Sequence, residues 1–144
     1  MTALTLEDHR EIYDLFVRFA WAIDEGDTAK ELAEIFTDDV VLEGPISGRH
    51  EGPDALRTWT QVAEGRPVSQ ARHFITNFLI RGESDTTASV DAYFLHFQTN
   101  EEPRLPHQNP VTDFCFAGRY ECTVRRVDGV WRIAKRKAVI DSRS

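Results

Sequence analysis

The sequence predicts an α+β fold in which three helices come first and a strongly curved, largely antiparallel β-sheet follows. Three observations predict it. Apolar residues recur at helical spacing in the first part of the chain. From Arg72 onward the chain has long stretches rich in aromatic and β-branched residues, which favour strands. Short turn signals join most of these stretches, as between antiparallel neighbours. The 144 residues are expected to form a single domain, 1–144, around one core.

The first helix is predicted to run from Thr5 to Gly26. Thr5 followed by Asp8 is typical of a helix start, and a glycine is typical of a stop. Between them, six apolar residues recur at helical spacing: Ile12, Leu15, Phe16, Phe19, Ala20 and Ile23. "TAKELAEIF" predicts a second helix with Thr28 and Glu31 as a capping box. "GPDALRTWTQVA" predicts a third helix with its proline in the first turn.

Five strands are predicted. "DDVVLEG" is a short strand between the second and third helices. Four long strands follow: "RHFITNFLIRG", "TASVDAYFLHFQTN", "VTDFCFAGRYECTVRRV" and "VWRIAKRKAVI". "GESD" and the tight hairpin signal "DG" mark two turns, whereas "EEPRLPHQNP" indicates a longer loop.

The composition is that of a globular protein, with 41% hydrophobic and 28% charged residues and a net charge of −7. The negative charge argues against nucleic acid as a partner, because neutralising phosphates needs clustered Lys and Arg. No apolar run is long enough for a membrane span, and "MTALTLEDHR" lacks a targeting pattern, so a cytoplasmic location is expected. In one regular strand Cys115 and Cys122 point to opposite faces and cannot bond each other. No ligand spacing supports a metal or another cofactor.

"RHFITNF", residues 72–78, places His73 at the start of a predicted buried strand. Two interpretations are open. His73 is a core histidine whose nitrogens bond the backbone or water, or it is a catalytic base. The second interpretation needs a partner group elsewhere in the chain and a pocket that both groups share.

Asp24 is the candidate partner. On a helical wheel at about 100° per residue, the other charges of the first helix cluster roughly 160° to 260° from Ile12, whereas Asp24 lies at roughly 120°, on the flank of the apolar stripe. Either Asp24 escapes into water at the helix end, or it faces a cavity under the sheet and bonds one ring nitrogen of His73. In the second case the other nitrogen carries a basic lone pair, as in a general base held by a carboxylate.

Six segments resemble, in order, the nuclear transport factor 2-like superfamily, in particular its polyketide-cyclase-like and scytalone-dehydratase-like branch. They cover nearly the whole chain: "AIDEGD", "LAEIFTDDVVLEG", "EGPDALRTW", "RHFITNF", "AGRY" and "RRVDGVWRIAKRK". The resemblance implies a cone of three helices packed in a curved sheet, with an interior pocket for small, often cyclic, organic molecules. It also implies that Asp24 and His73 form the catalytic base, as in the hexachlorocyclohexane dehydrochlorinases of this branch.

The sequence departs from the scytalone dehydratases at three positions. Phe94 stands where those enzymes have a second catalytic histidine, and Gly118 and Tyr120 stand where they have a serine and an asparagine. Scytalone itself is therefore not the expected substrate.

Strand alternation adds further candidate pocket residues. Phe94 and His96 share one face of their strand, so His96 either lines the cavity or faces solvent. Asn77 shares a face with His73 and Leu79 in a regular strand, and it either binds a substrate oxygen or bonds the backbone.

The last strand and several aromatic residues complete the expected pocket. Arg136 and Lys137 point to opposite faces, and one of the two would stabilise a leaving group or an enolate. The expected aromatic lining is Tyr13, Phe16, Trp59, Phe94 and Phe116.

Two classes of function follow. The first is a cofactor-independent lyase of the dehydratase type, or an isomerase, in which His73 removes a proton from a small cyclic or aromatic molecule. The alternative is a non-catalytic ligand-binding or assembly subunit similar to the β subunit of aromatic-ring dioxygenases. A homodimer or homotrimer is expected, because the outer face of the sheet would carry Trp131 and Ile133, or the residues alternating with them, and an apolar outer face needs covering.

Overall fold

The structure is a computed structural model that describes residues 4–25, 28–64, 70–100 and 111–143. The helices are α1 (Leu6–Glu25), α2 (Thr28–Ile35) and α3 (Ala55–Glu64). The strands are β1 (Phe36–Gly44), β2 (Gly48–His50), β3 (Gln70–Gly82), β4 (Thr87–Asn100), β5 (Val111–Val127) and β6 (Val130–Arg143). The predicted stop at Gly26, the capping side chain of Thr28 and the loop "EEPRLPHQNP" lie outside the described residues.

The six strands form one sheet in the order β2-β1-β6-β5-β4-β3. Every neighbouring pair is antiparallel except β1 and β6, which are parallel. The predicted α+β fold of three helices and a curved, largely antiparallel sheet is therefore confirmed. The strand β2 was not predicted, because three residues are too few to show an alternating pattern.

The core lies between α1 and the inner face of the sheet. Ile12, Phe16 and Phe19 of α1 are fully buried in the same apolar cluster as Val90 of β4 and Val124 of β5. Each such side chain contributes about 1.5 to 3 kcal/mol to stability through its burial. This packing fixes the helix over the sheet and so determines where the end of α1 meets the strands.

The start of α1 is tied to the far end of the sheet by Asp8. The Asp8 backbone N–H donates to Thr5 Oγ1 at 3.0 Å, and the Thr5 N–H donates to Asp8 Oδ2 at 2.9 Å, as in a capping box. Asp8 Oδ1 accepts hydrogen bonds from Arg126 and from Trp131 Nε1. These hydrogen bonds lower the pKa of Asp8 to about 2, and the bond from the Thr5 backbone has the largest effect.

Of the two sets of residues that could form the outer face of β6, Trp131 and Ile133 lie in the core. They are 1% and 0% exposed, so the outer face carries the residues that alternate with them. Alternation puts the two side chains on one face, but it does not say which face of the sheet meets the helices. The exposed apolar side chains of the sheet include four on β3 and β4: Phe74, Leu79, Tyr93 and Leu95.

A β-bulge in β3 changes which side chains face inward. Asn77 and Phe78 together stand opposite Ala92 of β4. Asn77 has a left-handed backbone conformation with φ of 54°, which asparagine tolerates, and its side chain is exposed. Phe78 takes the inward position and packs on Phe16. The prediction that Asn77 shares a face with His73 is therefore wrong.

The hairpin and thiol predictions are confirmed. Asp128 and Gly129 both have positive φ, 51° and 79°, as a tight type I′ hairpin turn requires. Cys115 and Cys122 form no disulfide bond. Burial raises the pKa of Cys122 to about 12, so this thiol stays protonated and unreactive.

None of the described helices has the length and apolar character that a membrane span requires.

Candidate active site

The end of α1 brings Asp24 against His73 at the start of β3. Asp24 Oδ1 lies 2.6 Å from His73 Nδ1, and Asp24 Oδ2 accepts the backbone N–H of His73 at 2.8 Å. The Asp24 and His73 side chains are only 7% and 13% exposed. Because a carboxylate only accepts hydrogen bonds, Nδ1 of the neutral ring carries the proton and Nε2 carries the lone pair.

Two further contacts hold this end of α1 on β3. Gln70 Nε2 donates to the backbone carbonyl of Asp24 at 3.0 Å, and Arg72 donates to Glu25 Oε1 at 2.8 Å. The last carbonyls of a helix have no partner within the helix, so Gln70 satisfies one of them. The carboxylate of Asp24 is thus positioned by the strand as well as by its own helix.

His96 faces the interior beside His73, which decides between the two orientations that the sequence left open. Its side chain is 4% exposed, and its ring stacks on the His73 ring with 4.1 Å between the centroids. Phe116 meets the His96 ring edge-on at 4.6 Å. The stack fixes the plane of the His73 ring, and the bond to Asp24 fixes its rotation within that plane.

Aromatic rings continue from Phe116 along the inner face of the sheet. Phe94 lies edge-on to Phe116 with centroids 5.9 Å apart and stacks flat on Tyr120 at 4.4 Å. Tyr120 in turn meets Phe19 of α1 edge-on at 6.2 Å. We call Phe94, Phe116 and Tyr120 the aromatic wall. These rings cover the inner face of β4 and β5 with apolar surface between His96 and Arg136.

Arg136 lies at the end of the aromatic wall away from His73. Its guanidinium carbon is 5.0, 5.2 and 4.9 Å from the ring centroids of Phe19, Trp59 and Tyr120. The side chain is 6% exposed, and its Nε is sealed from solvent without a hydrogen-bond partner among the described residues. A desolvated cation over aromatic faces gains about 2 kcal/mol, but it still lacks the anion that a buried charge usually has.

A second bulge explains why Arg136, and not Lys137, faces the interior. Ile133 pairs with Val124 of β5, whereas Lys135 pairs with the adjacent residue Thr123, so β6 contains one extra residue at this point. Ile133 and Arg136, three positions apart, consequently both point inward, which regular alternation would forbid.

A cleft of about 260 Å³ opens between α1 and β3 with His73 in its lining. The lining residues come from both elements: Phe16, Val17, Ala20, Trp21, His73, Phe74, Ile75, Thr76 and Phe78. A cavity of about 150 Å³ is enough for benzene. The cleft is therefore large enough for a one-ring molecule beside His73.

The other candidate residues lie around the cleft in different ways. Tyr13 is 46% exposed and packs edge-on against Phe78 at 5.0 Å, so it stands at the rim. Asn77 points away on the outer face. Two residues were not predicted as site residues. One is Trp21, which is exposed and lines the cleft, and the other is Tyr120.

Within residues 4–25, 28–64, 70–100 and 111–143, no three His, Cys, Asp or Glu side chains are grouped as metal ligands. That the site works without a metal or cofactor stays a prediction.

The family model of the SnoaL-like domain matches residues 4–137. The chain belongs to the SnoaL-like domain family. This family lies within the nuclear transport factor 2-like superfamily, so the resemblance seen in "RHFITNF" and the other segments is confirmed. No curated protein matches the sequence.

Solved structures share the fold of this SnoaL-like domain along almost its full length. A candidate scytalone dehydratase from Novosphingobium aromaticivorans has a TM-score of 0.78 at 23% identity, over 96% of this chain and 87% of that chain. A hexachlorocyclohexane dehydrochlorinase from Novosphingobium barchaimii has a TM-score of 0.76 at 22% identity, over 96% and 90%. A candidate aromatic ring hydroxylase from Novosphingobium aromaticivorans has a TM-score of 0.77 at 24% identity, over 97% and 93%. At these identities the likeness shows the fold.

Proposed function

We propose that this SnoaL-like domain is a cofactor-independent lyase or isomerase that acts on a small cyclic or aromatic molecule, with His73 as the general base and Asp24 as the group that orients it. The contact between Asp24 Oδ1 and His73 Nδ1, at 2.6 Å, carries the proposal. It leaves the Nε2 lone pair as the basic atom, and no described residue hydrogen-bonds Nε2.

The chemistry of the pair supports proton abstraction from carbon. When Nε2 takes a proton, the imidazolium is stabilised by the Asp24 carboxylate, which stays ionised. The His96 stack holds the ring in place, so the base needs little reorganisation in the transition state. The dehydratase and dehydrochlorinase names of two structural neighbours agree with an elimination, although the fold they share supports many activities.

The interior offers what a neutral ring substrate needs. The aromatic wall and the cleft supply apolar surface, and Arg136 supplies a positive charge for the negative charge that develops on a leaving group or an enolate. Phe16, Trp59, Phe94, His96 and Phe116 are the proposed contact residues on the inner side.

The test is turnover of 5-nitrobenzisoxazole, a general probe in which removal of one C–H proton breaks the N–O bond and releases a coloured phenolate. His73→Ala is expected to lower kcat/KM by about 10²- to 10⁴-fold, the usual contribution of a positioned base. His9→Ala, at the opposite end of α1, is the matched control and should keep the wild-type rate. Equal rates for wild type and His73→Ala, or no turnover by the wild type, would refute the proposal.

A second candidate function, an assembly subunit like the β subunit of aromatic-ring dioxygenases, is favoured by the outer face of β3 and β4. Phe74 and Tyr93 are 54% and 58% exposed there. A structural neighbour bears the name of an aromatic ring hydroxylase. In that case the domain should show no base-dependent turnover, and replacing His73 should leave its association with a larger chain unchanged.

A further inference from the structure

Tyr120 is a buried titratable group that the general-base proposal leaves without a task. Its side chain is 3% exposed, on the inner face of β5. Buried tyrosine hydroxyls usually have a hydrogen-bond partner. No described residue bonds the Tyr120 hydroxyl, and this oxygen is not among the polar atoms sealed from solvent. The hydroxyl is therefore available to a molecule held inside the fold.

Tyr120 lies on the aromatic wall between the Asp24–His73 pair and the buried guanidinium of Arg136. The guanidinium of Arg136 is 4.9 Å from the Tyr120 ring centroid. The ring also meets Phe19 of α1, whose centroid lies 5.0 Å from the same guanidinium, and Asp24 follows about 7.5 Å further along that helix. Phe94, stacked flat on Tyr120, connects the ring through Phe116 and His96 to His73.

The surroundings of Tyr120 keep its hydroxyl protonated. Burial raises the pKa of Tyr120 to about 12, and the Asp24 carboxylate acts in the same direction, whereas Arg136 acts to lower it. The phenol is thus protonated at neutral pH. Once the proton has left, the phenolate faces a cation that has no carboxylate partner among the described ion pairs.

We propose that Tyr120 is a second catalytic residue, the general acid that protonates the oxygen atom leaving the substrate, with Arg136 stabilising the phenolate. This inference rests on the proposed function of His73 as the base. His73 Nε2 takes a proton from carbon, the neighbouring C–O bond breaks as the C=C bond forms, and the Tyr120 hydroxyl gives its proton to the departing oxygen as water. The imidazolium then returns one proton to the phenolate through water, which restores both residues.

The identity of the leaving group follows from this pairing. A halide leaves as a stable anion and needs no proton, whereas a hydroxyl group leaves well only when it is protonated. A phenol donor that acts together with the base therefore points to a hydroxylated ring compound that loses water, and not to a halogenated one.

The test compares two probes that differ in how much their leaving oxygen needs a proton: 5-nitrobenzisoxazole, with a good phenolate leaving group, and unsubstituted benzisoxazole, with a poorer one. Tyr120→Phe removes only the hydroxyl. It is expected to lower kcat/KM about 10- to 100-fold for unsubstituted benzisoxazole and less than about threefold for the nitro compound. Tyr93→Phe, which removes an exposed hydroxyl from the neighbouring strand, is the matched control and should change neither rate.

A second readout does not depend on turnover. Binding of 4-nitrophenol, whose oxygen imitates the leaving group, is expected to weaken at least about fivefold in Tyr120→Phe and to stay unchanged in Tyr93→Phe. Circular dichroism checks that both variants fold. If Tyr120→Phe slows both probes equally, or slows neither, while His73→Ala abolishes turnover, the role of Tyr120 is wrong and the base stands. If His73→Ala has no effect, the proposed function itself is wrong.

Discussion

Replacing Asp24 by asparagine should invert the tautomer of His73 and so remove its basic lone pair from the interior. The backbone N–H of His73 can only donate, so the amide oxygen of the introduced side chain has to take the place of Asp24 Oδ2, which accepts that N–H at 2.8 Å. The amide nitrogen then lies at the 2.6 Å position facing Nδ1 and donates to it. The ring proton is consequently forced onto Nε2.

The size of the effect follows from the bonds involved. Restoring the active tautomer would set two donors against each other in a buried site, at about 1 to 3 kcal/mol, and the charge-assisted bond that stabilises the imidazolium, about 1.5 to 3 kcal/mol, is lost as well. Together these correspond to a fall of about 10²- to 10⁴-fold in kcat/KM at about 1.4 kcal/mol per tenfold. The free energy of unfolding should change by only about 1 kcal/mol, because the two side chains have the same shape.

The assay is turnover of 5-nitrobenzisoxazole together with urea unfolding of the same variants. Asp14→Asn, an exposed change on the same helix, is the matched control and should keep both the rate and the stability. A folded Asp24→Asn protein that turns over the probe within about threefold of the wild-type rate would refute the orienting role of the carboxylate.

Three further predictions concern the fold. Gly118→Ala should lower the free energy of unfolding by about 1 to 3 kcal/mol in urea titrations, because a Cβ there would lie 2.0 Å from the Val139 carbonyl oxygen; unchanged stability would contradict the packing. The pKa of Asp8 is lowered from 3.8 to about 2 in the folded protein, so ionised Asp8 stabilises the fold above pH 3.8, and this stabilisation is lost as the pH falls toward 2. The unfolding midpoint should therefore fall less steeply with acidification in Asp8→Asn than in wild type. Self-association should use the exposed Phe74 and Leu95, so light scattering should show a dimer or trimer that Phe74→Ser weakens; a wild-type monomer at micromolar concentration would disprove this.

The order and extent of the elements could be read from the sequence because their signals are local. β4 and β5 occupy the stretches 87–100 and 111–127 that the sequence predicts, since turn residues and loops bound them. The start of α1 was predictable from Thr5 and Asp8 for the same reason.

The face of the sheet on which each side chain lies could not be predicted in the same way. Alternation gives relative orientation, and each bulge resets it, as at Asn77 in β3 and before Arg136 in β6. Which face of β6 meets the helices is a tertiary property, so the sequence left open whether Trp131 lies in the core or on the outer face. A bulge has no fixed sequence signature, so the facing of Asn77 and Arg136 could not be predicted from the sequence.

The Asp24–His73 contact joins residues far apart in the chain, so no local pattern predicts it. The helical wheel placed Asp24 on the flank of the apolar stripe and left its pairing with His73 as one of two alternatives, and the resemblance implied the pairing. The carboxylate also accepts the backbone N–H of His73, and Gln70 holds the carbonyl of Asp24; neither contact was predicted. Tyr120 was passed over because its face of β5 was not known.

Histidine side-chain nitrogen NMR of the wild-type protein at neutral pH is the most direct test of His73 as the general base, because it reports which ring nitrogen carries the proton. The 2.6 Å contact with Asp24 predicts a proton on Nδ1 and a bare lone pair on Nε2. A proton on Nε2 with Nδ1 bare would contradict it, since His73 would then present no base to a substrate.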